Sequence, residues 1–300
     1  MPADAQNPLI LFSEALAERA RLARPLVAGI TTQGHRTRSG TVWRKDVVVA
    51  SEQAFPDVAE ARVSLADGRD LAAQVAGRDP GTNVIALRVD GVSDPAPLAA
   101  AGPQPGALAL AFGADQIGLG VRLGVIHSVG PSWHSRAGGR IDRRITLDIA
   151  LTRREEGGPV LDAAGGLLGI STLGPHGSVL VIPRSTVDAV LEPLLSKGRV
   201  ERGWLGVAVQ PVLVPETLQA AAGQSRGLMV MGVSKDGPAA QAAVHVGDIL
   251  VAIGGESVTS SAMVAQRLGP DSVGRQVELR LIRAGQLLAF NATVGVRPPQ

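Results

Sequence analysis

The sequence predicts a mainly β protein in which a larger domain of short strands precedes a smaller α+β domain. Short apolar or alternating runs, separated by Gly, Pro, Asp and Asn, fill the chain from residue 26 to residue 182. Almost no helical period lies between these runs, which is typical of an all-β barrel or sandwich. After a charged, glycine-containing link at 197–203, strands and helices mix within residues 204–297, which indicates a compact α+β module.

The first element is a helix at residues 7–24 that forms an N-terminal extension of 1–25. Asn7 is a candidate N-cap, and Pro8 suits the first helical position. The apolar residues of this helix recur at spacings of three and four, at Leu9, Phe12 and Leu16. We expect the helix to end at Pro25.

The first domain is predicted at 26–196. Its strands are expected at 26–31, 40–50, 60–66, 71–77, 84–89, 107–112, 119–129, 144–150, 167–172 and 178–182. Ser185 to Asp188 has the pattern of a capping box that opens a closing helix. The apolar residues of that helix are Val187, Val190, Leu191, Leu194 and Leu195.

The second domain begins with the run Gly203 to Val209 and continues through a strand at 227–233. Two further strands, 276–283 and 287–295, are joined by a turn at Ala284 and Gly285. A helix is expected near 260–268.

Composition excludes several classes of site. The chain of 300 residues has no cysteine, so disulfides, thiolate metal sites and a cysteine nucleophile are absent. Its formal net charge is only +2, and no aromatic residues are interleaved with its arginines, so we predict no nucleic-acid binding. His127 and His134 lack a neighbouring carboxylate pair, so we predict no metal site and no cofactor.

No apolar run reaches the roughly 18 residues that a membrane span needs. The apolar stretch from Pro8 to Phe12 is too short for a signal peptide and is followed at once by charged residues. The sequence as it stands predicts a cytoplasmic protein, or a periplasmic one if a leader has been removed.

Eight short segments carry a resemblance to a known family. Residues 153–161 read R-R-E-E-G-G-P-V-L and are followed by G-G-L-L-G-I at 165–170. Upstream stand S-G-T-V at 39–42, V-V-V-A-S-E-Q-A at 47–54, V-S-L-A-D-G-R at 63–69, and A-Q-V-A-G-R-D-P-G-T-N-V-I-A-L at 73–87. The last domain contains G-W-L-G-V at 203–207 and V-G-D-I-L-V-A-I-G at 246–254.

Together these stretches resemble the HtrA (Deg) family of trypsin-like peptidases, over residues 37 to 297. The resemblance implies a trypsin-like double β-barrel followed by a PDZ domain. In that family the segment at 154–160 reads G-N-S-G-G-P-L, which places the nucleophilic serine at Glu156. The family's histidine falls on Gln53 and its aspartate on Asn83.

Each of these replacements removes a chemical requirement of the family's reaction. A glutamine amide has no usable basicity, so Gln53 cannot deprotonate a hydroxyl. Asn83 is neutral and cannot stabilise an imidazolium. The Glu156 carboxylate is a poor nucleophile toward an amide carbonyl. Arg154 replaces a glycine in the turn that would direct N–H groups at the oxyanion.

Other uses of the cleft stay open. A relocated triad would draw on serines such as Ser51 or Ser171 and on a histidine; the histidines are His35, His127, His134, His176 and His245. Alternatively, a charged network could surround Glu156 and either satisfy itself or hold a cationic group. The candidate members of that network are Asp148, Arg153, Arg154 and Glu155.

The PDZ-like domain is predicted to bind C-terminal or extended apolar segments of other proteins. In such domains the peptide adds as a strand and its carboxylate is taken by loop N–H groups. The resemblance places the loop and strand at Trp204, Leu205, Gly206, Val207 and Val209. On the lining helix, Val264 and Leu268 form one stripe and Met263 and Arg267 another, and either could face the groove.

The sequence therefore predicts a pseudoprotease that binds proteins as an adaptor, a sensor or a chaperone-like holder. One alternative is an active serine endopeptidase with a relocated triad. Another is a structural subunit that assembles with an active paralogue. The resemblance also implies a homo-oligomer, since HtrA proteins are typically trimers.

Overall fold

The computed structural model describes residues 7–32, 37–55, 58–95, 102–115, 118–135 and 137–296. The chain divides into two compact units. The first comprises Met1–Trp133 and Ile141–Arg199, and the second comprises His134–Arg140 and Val200–Gln300. The domain boundaries given above, 26–196, 197–203 and 204–297, stay predictions, and residue 297 lies outside the described residues.

An N-terminal helix and two closed barrels make up the first unit. Helix α1 (Pro8–Ala23) begins as predicted, with the Asn7 side chain accepting a hydrogen bond from the Leu9 N–H. Only its second half packs, through Leu16, Ala20 and Ala23, because the first turns project from the unit. The predicted apolar residues Leu9 and Phe12 are 76% and 44% exposed.

The first barrel has the strand order β1-β2-β3-β6-β5-β4 and closes through pairing of β1 with β4. Its strands are β1 (Val27–Thr31), β2 (Thr37–Arg44), β3 (Val47–Ser51), β4 (Glu60–Leu65), β5 (Asp70–Asp79) and β6 (Val84–Arg88). Strands β3 and β6 are rich in β-branched residues, which suit a pleated strand, and β3 is buried along its whole length. The barrel core includes Ile30, Val48, Val63, Ile85 and Leu87.

The second barrel has the order β11-β14-β13-β12-β7-β8. Its strands are β7 (Leu108–Asp115), β8 (Gly118–Gly130), β11 (Arg144–Leu147), β12 (Pro159–Asp162), β13 (Leu167–Leu173) and β14 (Val179–Pro183). Between β8 and β11 a small ribbon pairs β9 (Trp133–His134) with β10 (Arg140–Ile141). The sequence did not identify β12 as a separate strand, because it has only four residues.

Helix α2 (Arg184–Lys197) closes the first unit and buries Val187, Val190, Leu191 and Leu194. The capping box predicted at Ser185 to Asp188 is wrong. The helix follows β14 directly and begins at Arg184, so Ser185 already lies inside its first turn and no side chain caps it. The helix ends at Gly198, which has a left-handed backbone with φ of 73°.

The second unit is built on a sheet with the order β16-β17-β18-β20-β21, with β19 paired to β18. The strands of the unit from Val200 onward are β15 (Gly203–Trp204), β16 (Val207–Leu213), β17 (Arg226–Val233), β18 (Ile249–Ile253), β19 (Glu256–Ser257), β20 (Gln276–Arg283), β21 (Gln286–Thr293) and β22 (Gly295–Val296). Strand β15 pairs with β22. The helices are α3 (Glu216–Ala222), α4 (Pro238–Gln241) and α5 (Ser261–Arg267). Of these, α3 was not predicted, since seven residues show too little helical period.

A buried ion pair anchors this sheet. Asp248 is 2% exposed and accepts two hydrogen bonds of 2.7 Å from the Arg283 guanidinium, with a further bond of 2.8 Å from the His245 N–H. Burial by itself would raise the pKa of Asp248, but the Arg283 and His245 bonds lower it below the ordinary value. The mainly β class and the order of a double barrel followed by an α+β domain are confirmed.

Candidate functional site

Gln53 and Asn83 lie next to each other at one end of the first barrel. Gln53 follows β3 in a short 3-10 turn, and Asn83 lies between β5 and β6 with φ of 60°. Strands β3 and β6 pair with Ser51 opposite Val84, which brings the two turns together. The Gln53 N–H donates to Asn83 Oδ1 at 2.8 Å.

Glu156 reaches the same place from the second barrel. It stands in the turn that leads into β12, and that turn lies alongside β13: the Gly157 N–H donates to the Ser171 carbonyl at 2.9 Å. Gly157 has φ of +96°, and a Cβ there would lie 2.5 Å from the Ser39 carbonyl oxygen. Only glycine fits this approach of the turn to the first barrel.

One hydrogen-bonded network joins the three residues predicted to stand at triad positions. Glu156 Oε1 accepts from Gln53 Nε2 at 2.6 Å, and Asn83 Nδ2 donates to Thr172 Oγ1 at 2.7 Å. The remaining donors to Oε1 are Ser51 Oγ at 2.8 Å, Thr172 Oγ1 at 2.8 Å and the Leu173 N–H at 3.2 Å. The structure therefore brings Gln53, Asn83 and Glu156 into one cleft between the barrels.

The hydroxyl groups of this network are poorly placed to attack a substrate. Ser51 is 0% exposed and Thr172 is 2% exposed, and both are hydrogen-bonded to Glu156. Ser171 is also fully buried and donates to the Glu155 carbonyl at 3.2 Å. A nucleophile must reach the carbonyl of a bound chain, so these serines do not suit a relocated triad.

No histidine in the described part of the chain bonds to the network. His127 is exposed on β8, and His176 is exposed in the turn between β13 and β14. His134 and His245 belong to the second unit. Burial and the charges of Arg140 and Arg202 lower the pKa of His134, which favours its neutral form. His35 lies outside the described residues.

The charged network expected around Glu156 is corrected by the structure. Glu155, not Glu156, forms the ion pair, and its partner is Arg122 on β8, with bonds of 2.7 and 3.2 Å. The Thr152 N–H donates to Glu155 at 2.8 Å. Burial would raise the pKa of Glu155, but the Arg122 and Thr152 bonds lower it. Arg122 is remote from this turn in sequence, so only the β7–β8 fold reveals the pair.

Arg153, Arg154 and Asp148 are exposed and do not surround the Glu156 carboxylate, because its donors are all neutral groups. Arg154 instead anchors the turn through its backbone: its carbonyl accepts from the Ser39 N–H at 2.8 Å and from Ser39 Oγ at 2.6 Å. Thr172 was also missed, although it stands only two residues after the G-I end of the motif at 165–170.

The second unit presents a loop with unused backbone donors. The Leu205 and Gly206 carbonyls accept from the N–H groups of Ala239 and Ser234, at 2.8 and 2.7 Å. Within the described residues, the Leu205 and Gly206 N–H groups donate to no protein acceptor. The Trp204 ring lies against Gly206. Adjacent N–H groups of this kind can hold a carboxylate.

The proposed groove lies beside β16, which is an edge strand paired only with β17. Val207 and Val209 on this strand are partly buried against the core. Leu205 and Val264 are themselves core residues, at 2% and 8% exposure, so their side chains are not available to a peptide. The physical reason is that both side chains point into the apolar interior of the unit.

The two stripes of α5 are now distinguished. Val264 and Leu268 are buried in the core, and Met263 is partly buried against the same core. Met263 Sδ accepts from Thr259 Oγ1 at 3.3 Å, and Arg267 pairs with Glu256 at 3.0 Å, so both contact the segment that precedes the helix. That Met263 and Arg267 line the groove stays a prediction.

No group of three or more His, Asp or Glu side chains capable of holding a metal ion occurs within the described ranges. Among the helices in those ranges, none combines the length and the apolar character that crossing a bilayer requires.

Comparison with protein families matches residues 38–170 to the trypsin-like peptidase domain and residues 203–294 to the PDZ domain. Among curated proteins, the chain is 30% identical over 273 residues to the "Probable periplasmic serine endoprotease DegP-like" of Brucella suis biovar 1 (strain 1330), covering 87% of this chain and 52% of the relative. It is 29% identical over 305 residues to the protein of the same name from Halomonas elongata, covering 96% of this chain and 63% of that relative. The chain thus spans little more than half the length of these relatives.

Two solved structures extend the likeness to both units. "HtrA-type protease AlgW with decapeptide" is similar with a TM-score of 0.75 and 25% identity, covering 95% of this chain and 99% of that one. "Crystal structure of the serine endoprotease from Yersinia pestis" is similar with a TM-score of 0.74 and 26% identity, covering 94% and 98% of the two chains.

Proposed function

Since this chain joins a trypsin-like peptidase domain to a PDZ domain and is a homologue of the DegP and HtrA proteases, we propose that it is a binding protein without peptidase activity. Its PDZ domain would take C-terminal or extended apolar segments of other proteins. It would then act as an adaptor, a sensor or a chaperone-like holder. One observation carries the proposal: Gln53, Asn83 and Glu156 lie together between the barrels in one hydrogen-bond network, which no histidine of the described residues joins.

Two physical arguments support the absence of hydrolysis. An amide in place of the imidazole removes the general base, and a carboxylate in place of the hydroxyl removes the nucleophile. The hydroxyls of Ser51 and Thr172 are buried, so neither takes over the attack.

The relatives are named as serine endoproteases, and this observation favours the second candidate, an active peptidase. Incubation with unfolded casein and labelling with a serine-reactive fluorophosphonate separates the two. We expect intact casein and no labelled serine. Stoichiometric labelling of one serine, with casein cleavage that stops when that serine becomes alanine, would establish the active enzyme instead.

Peptide binding is supported by the unused N–H groups of Leu205 and Gly206 and by the open edge of β16. The solved AlgW structure was determined with a decapeptide, which makes a peptide ligand a reasonable choice for this chain. Immobilised peptides with free and with amidated C-termini test the proposal. We expect binding of the free carboxylate to be about tenfold tighter or more, since charge-assisted hydrogen bonds are lost on amidation. Equal binding would mean that the loop does not recognise a carboxylate.

We extend two further properties to this chain as part of the proposal. The relatives' names place them in the periplasm, and fractionation of cells that produce the full-length protein tests that compartment.

The resemblance suggests a homo-oligomer, with assembly alongside an active paralogue as the structural alternative. Light scattering of the pure protein measures its mass.

A further inference from the structure

The two oxygens of the Glu156 carboxylate are bonded unequally. Oε1 accepts four hydrogen bonds. Within the described residues Oε2 accepts none, although the Glu156 side chain as a whole is only 3% exposed. Within the described residues this oxygen therefore keeps its capacity to accept a hydrogen bond from a ligand.

Within the described residues, no cationic group donates to the Glu156 carboxylate. Its donors are two hydroxyls, one amide and one backbone N–H. The Arg122 guanidinium, which binds the adjacent carboxylate of Glu155, is already paired there. A carboxylate that is removed from water loses roughly several kcal/mol of solvation free energy. Neutral donors on one oxygen restore only part of that free energy.

Gln53 supplies a second acceptor in the same network. Its Nε2 donates to the Glu156 carboxylate and, at 2.7 Å, to the Leu173 carbonyl. Both partners can only accept, so the orientation of the amide is fixed. Its carbonyl Oε1 then faces away from them, and within the described residues it receives no hydrogen bond. Gln53 is exposed, so this oxygen is accessible.

We propose that this cleft binds a cationic side chain, lysine or arginine, from an extended segment of another protein. The ammonium or guanidinium group donates to Glu156 Oε2 and to Gln53 Oε1. Ser51, Thr172 and the Leu173 N–H hold the carboxylate in place from behind, so little side-chain freedom is lost on binding. The site is independent of the PDZ groove, which lies in the second unit.

A matched pair of short peptides tests the proposal. Acetyl-Ala-Ala-Lys-Ala-Ala-amide and the same peptide with norleucine in place of lysine differ only in the charged group. Both are blocked at each end, so neither offers a C-terminal carboxylate. In NMR titrations of the full chain we expect the lysine peptide to bind about tenfold tighter or more, because norleucine cannot donate the two charge-assisted hydrogen bonds to Glu156 and Gln53.

The variant Glu156→Gln should abolish that preference, whereas Glu192→Gln, which removes an exposed carboxylate on α2, should leave it unchanged. Equal binding of the two peptides by the wild-type protein would overturn the proposal, and that measurement needs no variant. A preference that persists in folded Glu156→Gln would overturn it as well. The Glu156→Gln variant should still distinguish free from amidated C-termini. A failure of the lysine site can therefore be told apart from a failure of peptide binding by the PDZ domain.

Discussion

The amide of Gln53 donates to three acceptors, which are a carboxylate, a hydroxyl and a backbone carbonyl. Asn83 contributes both ends of its own amide, one to the Gln53 N–H and one to Thr172. Buried polar groups require such partners. These bonds hold the Gln53 and Asn83 side chains in place, and neither amide is basic enough to remove a proton from a substrate.

At the residue scale, we predict that Glu156→Ala destabilises the first unit. The change leaves the buried Ser51 and Thr172 hydroxyls without their acceptor. We expect a loss of about 2–4 kcal/mol in the free energy of unfolding, measured by urea denaturation. Glu192→Ala removes an exposed carboxylate and should cost no more than about 0.5 kcal/mol. A similar small cost for both variants would contradict the network.

Placing the three side chains of the HtrA triad at the positions predicted for them should produce peptidase activity. The triple variant Gln53→His, Asn83→Asp, Glu156→Ser places base, orienting acid and nucleophile on positions that already converge. We expect casein hydrolysis about a thousandfold above wild type and labelling of the new serine by fluorophosphonate. Each single variant should stay inactive, because the groups act as a unit. Activity in the wild type that the triple change does not raise would count against the proposal.

At the scale of elements, Glu155 fastens the turn before β12 to the β7–β8 hairpin. The Glu155 side chain passes over Gly113 so closely that a Cβ added to Gly113 would lie 2.8 Å from it. The carboxylate then reaches Arg122 on β8. This contact fixes the turn that carries Glu156. Strand β8 therefore contributes to the site, although none of its residues stands at a triad position.

The pKa of Glu155 gives this contact a pH dependence. The folded-state pKa lies below the ordinary glutamate value of 4.5, so the stabilisation is fully present above that value and is lost as the pH falls through the lower folded-state pKa. At pH 7 the free energy of unfolding of the wild type should exceed that of Glu155→Gln by about 1–2 kcal/mol. We expect no more than this because Arg122 is half exposed, and solvent screens its charge. Urea denaturation at pH 7 and at pH 3 measures the difference. A gap that is equal at both values would rule out the ion pair as its source.

Strand β16 supplies the edge to which a peptide would add. Val209 and Gln210 are neighbours that point to opposite faces of the sheet, the first partly buried and the second exposed. We expect Val209→Glu to weaken binding of a free C-terminal peptide about tenfold or more, since the new charge repels the ligand carboxylate, while Gln210→Glu leaves it unchanged. Fluorescence anisotropy measures both. Circular dichroism checks that Val209→Glu is folded, and an equal effect of the two variants would place the groove elsewhere.

At the scale of the whole molecule, each unit has its own apolar core. Ile85 is 1% exposed in the first barrel and Leu228 is 0% exposed in the second unit. Ile85→Ala and Leu228→Ala should each cost about 2–5 kcal/mol. In calorimetry we expect each variant to lower one thermal transition and to leave the other in place. If both variants shift a single transition, the units unfold as one.

The order of elements was predictable because it depends on local pattern. Short alternating runs predicted most strands of both barrels, and Asn7 with Pro8 predicted the start of α1. Motif positions at Gln53, Asn83 and Glu156 singled out the cleft. Local pattern failed at two helices. The capping box predicted at Ser185 is absent because β14 passes directly into α2. Helix α3 was missed because it is too short for its period to be recognised.

The sequence by itself determined which chemistry is present at the triad positions, because the identity of a side chain decides whether it can act as a base or a nucleophile. Only the tertiary structure decided how those side chains are partnered. It paired Glu155 with Arg122 and left Glu156 to neutral donors, and it buried Leu205 and Val264 in the core. These contacts join residues far apart in the chain, through strand pairing and barrel closure that no local pattern records.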